Sequence, residues 1–247
     1  MVIQNSNIHN DVLLLLQSAK QGKVVSPWRY PGGKSHVMKK HILPFIRKMN
    51  KTNEFNDPFA GGGCIPIALA KEYPTMRFRL NDKNPAMAEY WRIIASDEEP
   101  EILYKALETP MTREWYKLVS YSEPEEPQMR VYRALVLNRI NWNGVQSSNP
   151  SKDFLARYDA KETTLRIRAL RILFKDRLEI FNLDVLDFLK VVGGKAFVFL
   201  DPPYWQQGKN LYPTFMNPIE HKRLANSLKA LDRKKMKPGP SDFSMIA

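Results

Sequence analysis

Apolar positions along this chain follow two rhythms, short unbroken runs and helical stripes, and the two succeed one another in a βα order. Phe197-Val-Phe-Leu200 is an apolar run halted by Asp201-Pro-Pro-Tyr204, which predicts a buried parallel strand ending at two prolines. Upstream, Glu54 to Asp57, Arg77 to Leu80 and Glu179 to Asp184 predict three more short strands. Helices are expected over His36 to Lys48, Ile65 to Lys71, from Pro85 onward, over Val185 to Lys190 and over Pro218 to Leu231. Within Arg157 to Arg177, Leu165, Ala169, Ile172 and Leu173 mark one apolar helical face. One stretch reads differently: Asn138-Arg-Ile-Asn-Trp-Asn-Gly-Val145 sets an Asn-Gly pair between β-formers, the signal of a hairpin. Its tip would expose Arg139, Asn141, Trp142 and Asn143.

These elements make an α/β sheet of the nucleotide-binding kind, interrupted by an insert. From about Ala86 to Leu178 the pattern turns to helix and loop, with prolines at 100, 110, 124, 127 and 150. The expected organisation is a first half of the core over residues 1–85, a mostly helical insert over 86–178 and a second half over 179–232. A basic tail without periodicity, 233–247, completes it.

Charge narrows the partner. Thirty-eight Lys and Arg against 26 Asp and Glu give +12, a surplus that suits a polyanion. Seven basic residues of 157–177 surround the apolar helix face, so its other side is either solvated or set against phosphates. Glu123 to Glu126 reads as a solvated acidic loop. The single Cys64 excludes an internal disulfide framework and fits a reducing cytoplasm. Apolar runs stay far below the ~20 residues of a membrane span, and Val12 to Leu16 lacks the basic leader of a secretory signal.

Candidate chemistry gathers at strand ends. Asp201 would stand at the carboxyl edge of the sheet, where open α/β folds bind ligands. Pro202 and Pro203 contribute no N–H, so the turn presents carbonyl oxygens beside a carboxylate. Two such acceptors draw the lone pair of an aromatic amine out of conjugation and stabilise the positive charge it gains on attacking a methyl sulfonium. Tyr204 is placed to stack on an extruded base. Asp-Pro is also ordinary punctuation before a helix.

Pro27 to Ser35 contains Gly32, Gly33 and Lys34, but the first glycine of a P-loop falls at Trp28. Gly61 and Gly63 begin a dinucleotide fingerprint whose third glycine falls at Pro66, which disfavours a hydride-transfer cofactor. Asp82 follows that turn by about 20 residues, the place of a ribose-binding acid, and it is equally a candidate N-cap for Pro85 onward.

With Tyr30-Pro-Gly-Gly-Lys34, Asp57-Pro-Phe-Ala-Gly-Gly-Gly63, Asn81-Asp82, Asn138-Arg139 with Asn143-Gly144, and Asp201-Pro-Pro-Tyr204 in that order, the chain resembles the Dam-type (D12 class) adenine-specific DNA methyltransferases from about Trp28 to Leu231. The resemblance implies a Rossmann-like S-adenosylmethionine-dependent methyltransferase sheet with a target-recognition insert. Tyr30 and Lys34 would contact that cofactor, with Gly32 and Gly33 shaping their loop. Asp57, Phe59, Gly61 and Gly63 would bed its methionine portion, Asp82 its ribose, and Asp184 would lie near its adenine. Asp201, Pro202, Pro203 and Tyr204 would be the catalytic set, Asp201 also bordering the cofactor. Arg29, Arg139, Asn141, Trp142, Asn143 and Gly144 would face DNA.

The implied partner is double-stranded DNA, with a companion restriction nuclease possible and neither metal nor membrane required. A bacterial or phage-host cytoplasm is the implied setting. Members of the family carry further strands after the helix that follows the catalytic motif. This sequence reaches Ala247 without an evident match to them, so a truncated sheet of order 3-2-1-4 is expected, with the Asp201 strand an exposed edge. Two rivals share these residues. One keeps the chemistry on a cytosine amine, RNA or a glutamine amide; the other is a silent remnant that binds DNA or a partner through the basic insert.

Overall fold

A computed structural model describes residues 26–29, 38–49, 52–145, 148–155, 157–192, 197–203, 216–235 and 245–246. A turn of π-helix, Met38–Ile42, leads into α1 (Leu43–Met49). Then come β1 (Glu54–Asp57), α2 (Cys64–Glu72), β2 (Arg77–Asn81) and α3 (Pro85–Ala95). Helices α4 (Glu101–Glu108), α5 (Arg113–Tyr121), α6 (Pro127–Ile140) and α7 (Ala160–Phe174) follow. The chain returns to β3 (Leu178–Phe181), α8 (Val185–Val192), β4 (Val198–Phe199), α9 (Pro218–Lys235) and β5 (Met245–Ile246).

The sheet is parallel in every pairing, with order β3-β2-β1-β4-β5. The expected exposed edge at the Asp201 strand is therefore corrected: Val198 and Phe199 of β4 pair with Met245 and Ile246 of β5. The cause is that parallel pairing needs only backbone groups in register, so a two-residue strand, too short to stand out in the sequence, covers that edge.

The sheet is packed on both faces, as β4 and the residue on either side of it show. Phe197 and Phe199 enter the large core, whereas Val198 and Leu200 pack with Phe188 of α8 on the other side. On the large-core face, Phe78 meets Phe174 edge-on at 5.3 Å and Trp91 meets the same ring at 5.6 Å, fastening β2, α3 and α7. Asn56 Nδ2 donates to the Phe197 carbonyl at 2.7 Å, joining β1 to the approach to β4.

Helix α6 explains why the insert packs as it does. Glu126 caps it by accepting from the Met129 N–H, and Pro127 begins it where no N–H is needed. Val131, Tyr132, Ala134, Leu135, Val136 and Leu137 are all buried, so the second half of this helix is enclosed on most sides as it sits among α3, α4 and α5.

Here the hairpin expectation is also corrected. Residues 138–140 are the end of α6, and Trp142–Gly144 form a single 3-10 turn. Asn-Gly serves a left-handed glycine in that turn, with φ +76° at Gly144, and the chain reverses more widely, through one antiparallel bridge between Asn141 and Pro150. Burial of Ile140 and Asn141 inside the helical layer outweighs the local β signal.

The apolar face expected for α7 shifts as well: Ala169 is buried as expected, but Thr163, Ile167, Leu170 and Phe174 are the other buried positions, while Ile172 is half exposed. Its arginines are neither merely solvated nor spread as a bare phosphate surface. Arg166 donates to the Ser26 carbonyl and Arg171 to that of Ile93, while Arg177, three residues past the helix, donates to those of Ala70, Tyr73 and Pro74. Arg168 lies over the Tyr104 ring at 4.8 Å. Among the described residues, no helix is long and apolar enough to cross a membrane.

Candidate active site

Strands β1, β2 and β4 deliver three carboxylates to one edge of the sheet. Asp57 ends β1 and is 3% exposed, with Oδ1 accepting from the Phe59 N–H at 2.9 Å. Burial pushes its carboxyl up to about 8, and the charges of Asp201 and Asp82 add to that rise. Asp82 follows β2. Its Oδ2 accepts from the Gly61 N–H at 2.9 Å and its Oδ1 from that of Asn84 at 2.8 Å. Burial raises it to about 6 in spite of those two bonds. Asp82 is thus not the cap of α3; Asn84 is, accepting from the Ala86 N–H at 3.0 Å.

The signs give a pH prediction. A carboxyl whose folded value lies above its ordinary 3.8 binds its proton more tightly in the folded chain, so it stabilises at low pH and loses that contribution as pH rises to about 8. Ligand-free protein should therefore unfold at falling temperature across that window, and Asp57→Asn should flatten the fall. Thermal unfolding of the two proteins at several pH values checks this, and parallel curves would contradict it.

The glycine turn is built around Trp91. Gly61 and Gly63 have φ +47° and +73°. A Cβ on Gly63 would lie 2.2 Å from Trp91 Cζ2, and Trp91 Nε1 donates to the Gly61 carbonyl at 3.0 Å. The third-strand side closes on the same edge through Asn81. Its Nδ2 donates to the carbonyls of Pro58 (3.0 Å) and Leu183 (3.2 Å), while its Oδ1 accepts from the Leu183 N–H at 2.8 Å.

Beside Asn81 lies a solvent-open cleft lined by Phe59, Asp184, Leu186 and Met216 among others. Asp184 also starts α8, with Oδ1 accepting from the Leu186 N–H at 3.0 Å. Asp201, Pro202 and Pro203 are half-buried at the end of β4. The turn is less open than the sequence implies: His221 of α9 lies 3.1 Å from the Pro203 carbonyl oxygen. Tyr30, Gly32, Gly33, Lys34 and Tyr204 lie outside the described residues.

On the insert side, Asn138 holds the segment that precedes Tyr30. Its Oδ1 accepts from the Arg29 N–H at 2.7 Å, and its Nδ2 donates to the carbonyls of Arg29 (2.6 Å) and Gly144 (3.0 Å). Ser26 Oγ, three residues earlier, donates to the Gly62 carbonyl at 2.7 Å, so one short segment spans from the glycine turn to the insert. Arg29 and Arg139 are both held below the ordinary guanidinium value, first by burial and then by neighbouring Arg157 and Arg166 respectively.

Arg139 donates Nε–H to the Arg157 carbonyl at 2.9 Å. Asn141 is buried, with Oδ1 accepting from the Tyr116 hydroxyl at 2.6 Å, so its side chain is occupied inside the fold. Trp142 is 60% exposed. The side chain of Asn143 lies outside the described residues, and Gly144 is buried. Trp91, Ser26 and His221 are contributors that single-sequence reading passed over, and Asn138 entered it only as part of a motif, because each acts through a partner distant along the chain.

A profile of the D12 class N6 adenine-specific DNA methyltransferases matches residues 30–244, nearly the whole chain. The chain belongs to that family. It is also 22% identical over 239 residues to Type II methyltransferase M.MjaIII of Methanocaldococcus jannaschii, covering 83% of this chain and 80% of that protein. Membership identifies the chain as an adenine-specific DNA methyltransferase and makes DNA its substrate. Among the described residues, no cluster of His, Cys, Asp and Glu could hold a metal ion.

Proposed function

We propose that this chain transfers a methyl group from S-adenosylmethionine to the N6 amine of an adenine turned out of duplex DNA. The observation that supports it most is the convergence of three carboxyl groups at one carboxyl edge of a parallel sheet, where the charges of Asp201 and Asp82 both raise the buried Asp57 carboxyl. The described residues suit the proposed cofactor. Asp82 spends two of its roughly four acceptor positions on backbone N–H groups, leaving others for ribose hydroxyls. Phe59, Leu186 and Met216 give the adjoining cleft apolar walls, with Asp184 at its side.

The bound cofactor supplies an electrophilic methyl on positively charged sulfur. Asp201 and the Pro202 carbonyl accept the two amine hydrogens of the flipped adenine and free its lone pair. With the cofactor bound, its methyl would pass to that nitrogen, and the proton the nitrogen then sheds would go to solvent. Tyr204 is assigned to stack on the base, Tyr30 and Lys34 to contact the cofactor, and Gly32 and Gly33 to shape that loop. Titration of S-adenosylmethionine into parent and Asp82→Ala protein tests the cofactor site. The parent should release heat with saturation, and the variant should bind at least about tenfold more weakly; equal binding would remove Asp82 from the site.

Residues 86–178 are proposed to read the DNA, with Arg29, Arg139 and the Asn143-Gly144 turn on the facing side. Exposed Trp142 is the candidate wedge between bases. Trp142→Ala should weaken duplex binding by about 1–3 kcal/mol while cofactor affinity holds. A filter-binding or anisotropy titration reads this directly, and unchanged DNA affinity would take Trp142 out of the interface.

A further inference from the structure

The turn after β4 offers three backbone carbonyls in succession, at Asp201, Pro202 and Pro203, and neither proline supplies an N–H. The last of them is already engaged, for Nε2 of His221 lies 3.1 Å from the Pro203 oxygen. A carbonyl only accepts, so the ring nitrogen that faces it carries hydrogen. His221 stands in the first turn of α9, and that turn is fixed twice. Asn217 Oδ1 accepts from the N–H groups of Ile219 and Glu220 at 2.9 and 3.0 Å, while Glu220 Oε2 accepts from the Asn217 N–H at 2.8 Å, a reciprocal cap. Glu220 Oε1 meets Lys83 Nζ at 3.0 Å, and Lys83 directly follows Asp82. One helix end therefore braces the loop after β2 and the turn after β4 together.

We infer that His221 is a positioning residue for methyl transfer: by donating from Nε2 to the Pro203 carbonyl it turns that oxygen toward α9 and leaves Asp201 and Pro202 as the acceptors that face the amine. The inference rests on the reaction proposed above for this turn. It asks no proton exchange of the imidazole, because the nitrogen that donates to a carbonyl has no lone pair with which to act as a base. The carbonyl it holds belongs to the peptide leading into Tyr204. Release of that peptide misaligns the acceptors, and small misalignments act on the chemical step rather than on cofactor affinity.

The test compares the full chain with His221→Ala, His221→Phe and His221→Gln, using single-turnover methyl transfer to a duplex carrying the target adenine. Calorimetry with S-adenosylmethionine and thermal unfolding accompany it. The alanine and phenylalanine variants should transfer methyl about ten- to a hundredfold more slowly, with cofactor Kd within about twofold of the parent. Glutamine places an amide N–H near the position of Nε2, so it should recover to within about threefold of the parent. An alanine variant as fast as the parent overturns the proposal, and so does a glutamine variant as slow as alanine.

A parent that transfers no methyl to adenine contradicts the reaction, not the contact. The contact is then judged from imidazole nitrogen NMR at about pH 9, where an ordinary imidazole is neutral. His221, identified by the signal lost in His221→Gln, should carry its hydrogen on Nε2. Hydrogen on Nδ1 alone overturns the assignment whatever the activity.

Discussion

Asp201→Ala is expected to lower the single-turnover rate of adenine methylation by at least about a hundredfold while cofactor binding stays near that of the parent. The expectation follows from what remains after truncation. The Pro202 carbonyl still accepts one amine hydrogen, but the charged acceptor that stabilises the growing positive charge on nitrogen is gone, and water in its place is not preorganised. Asp201→Asn keeps the shape and substitutes a weaker neutral acceptor, so it should fall between the two. Removing this charge also takes away one cause of the raised Asp57 carboxyl, which should shift downward in Asp201→Ala. A rate unchanged in Asp201→Ala would contradict the whole assignment of the turn.

The largest expected loss of stability belongs to Gly63→Ala. Alanine at φ +73° is strained by about 1–2 kcal/mol before any neighbour is considered. Its Cβ would then stand 2.2 Å from Trp91 Cζ2 and 2.5 Å from Cη2. Trp91 has nowhere to retreat: it is 1% exposed, packs edge-on against Tyr90 and Phe174, and holds the Gly61 carbonyl through Nε1. Strain and overpacking together should cost about 3 kcal/mol or more, a large part of ordinary domain stability. Urea unfolding of the two proteins measures it, and a loss below about 1 kcal/mol would show that the turn relaxes freely. Because the same turn donates the Gly61 N–H to Asp82, any folded fraction should also bind the cofactor more weakly.

The contrast between Gly63 and Asn141 shows what the sequence can and cannot say. Strands β1, β2, β3 and β4 are legible because each is a few apolar or β-forming residues stopped by Asp, Asn or Pro, and parallel order follows from the helices between them. The carboxylates Asp57, Asp82 and Asp201 are legible for the same reason, since strand ends place them at one edge. Asn141 and Gly144 carry local signals that point the wrong way. A hairpin and a helix end followed by a 3-10 turn share the same Asn-Gly punctuation, and only the packing of α6 among α3, α4 and α5 decides between them.

The arginines of α7 and of the turn after it teach the same lesson with charge. Arg166, Arg171 and Arg177 read as a basic face, yet their donors satisfy carbonyls at chain separations that no local window spans. The Glu126-Pro127 cap was the available clue that a long helix follows. His221 had no local signal at all, because its partner at Pro203 stands 18 residues away.

The central claim, that one edge of this sheet brings an activated methyl to the N6 amine of adenine in DNA, is tested most directly by product identity. Duplex DNA incubated with the chain and methyl-labelled S-adenosylmethionine is digested to nucleosides and separated. All label should travel with N6-methyldeoxyadenosine, and none should appear with Asp201→Ala protein. Label on a cytosine amine, or soluble folded protein that leaves DNA unlabelled, would contradict the account.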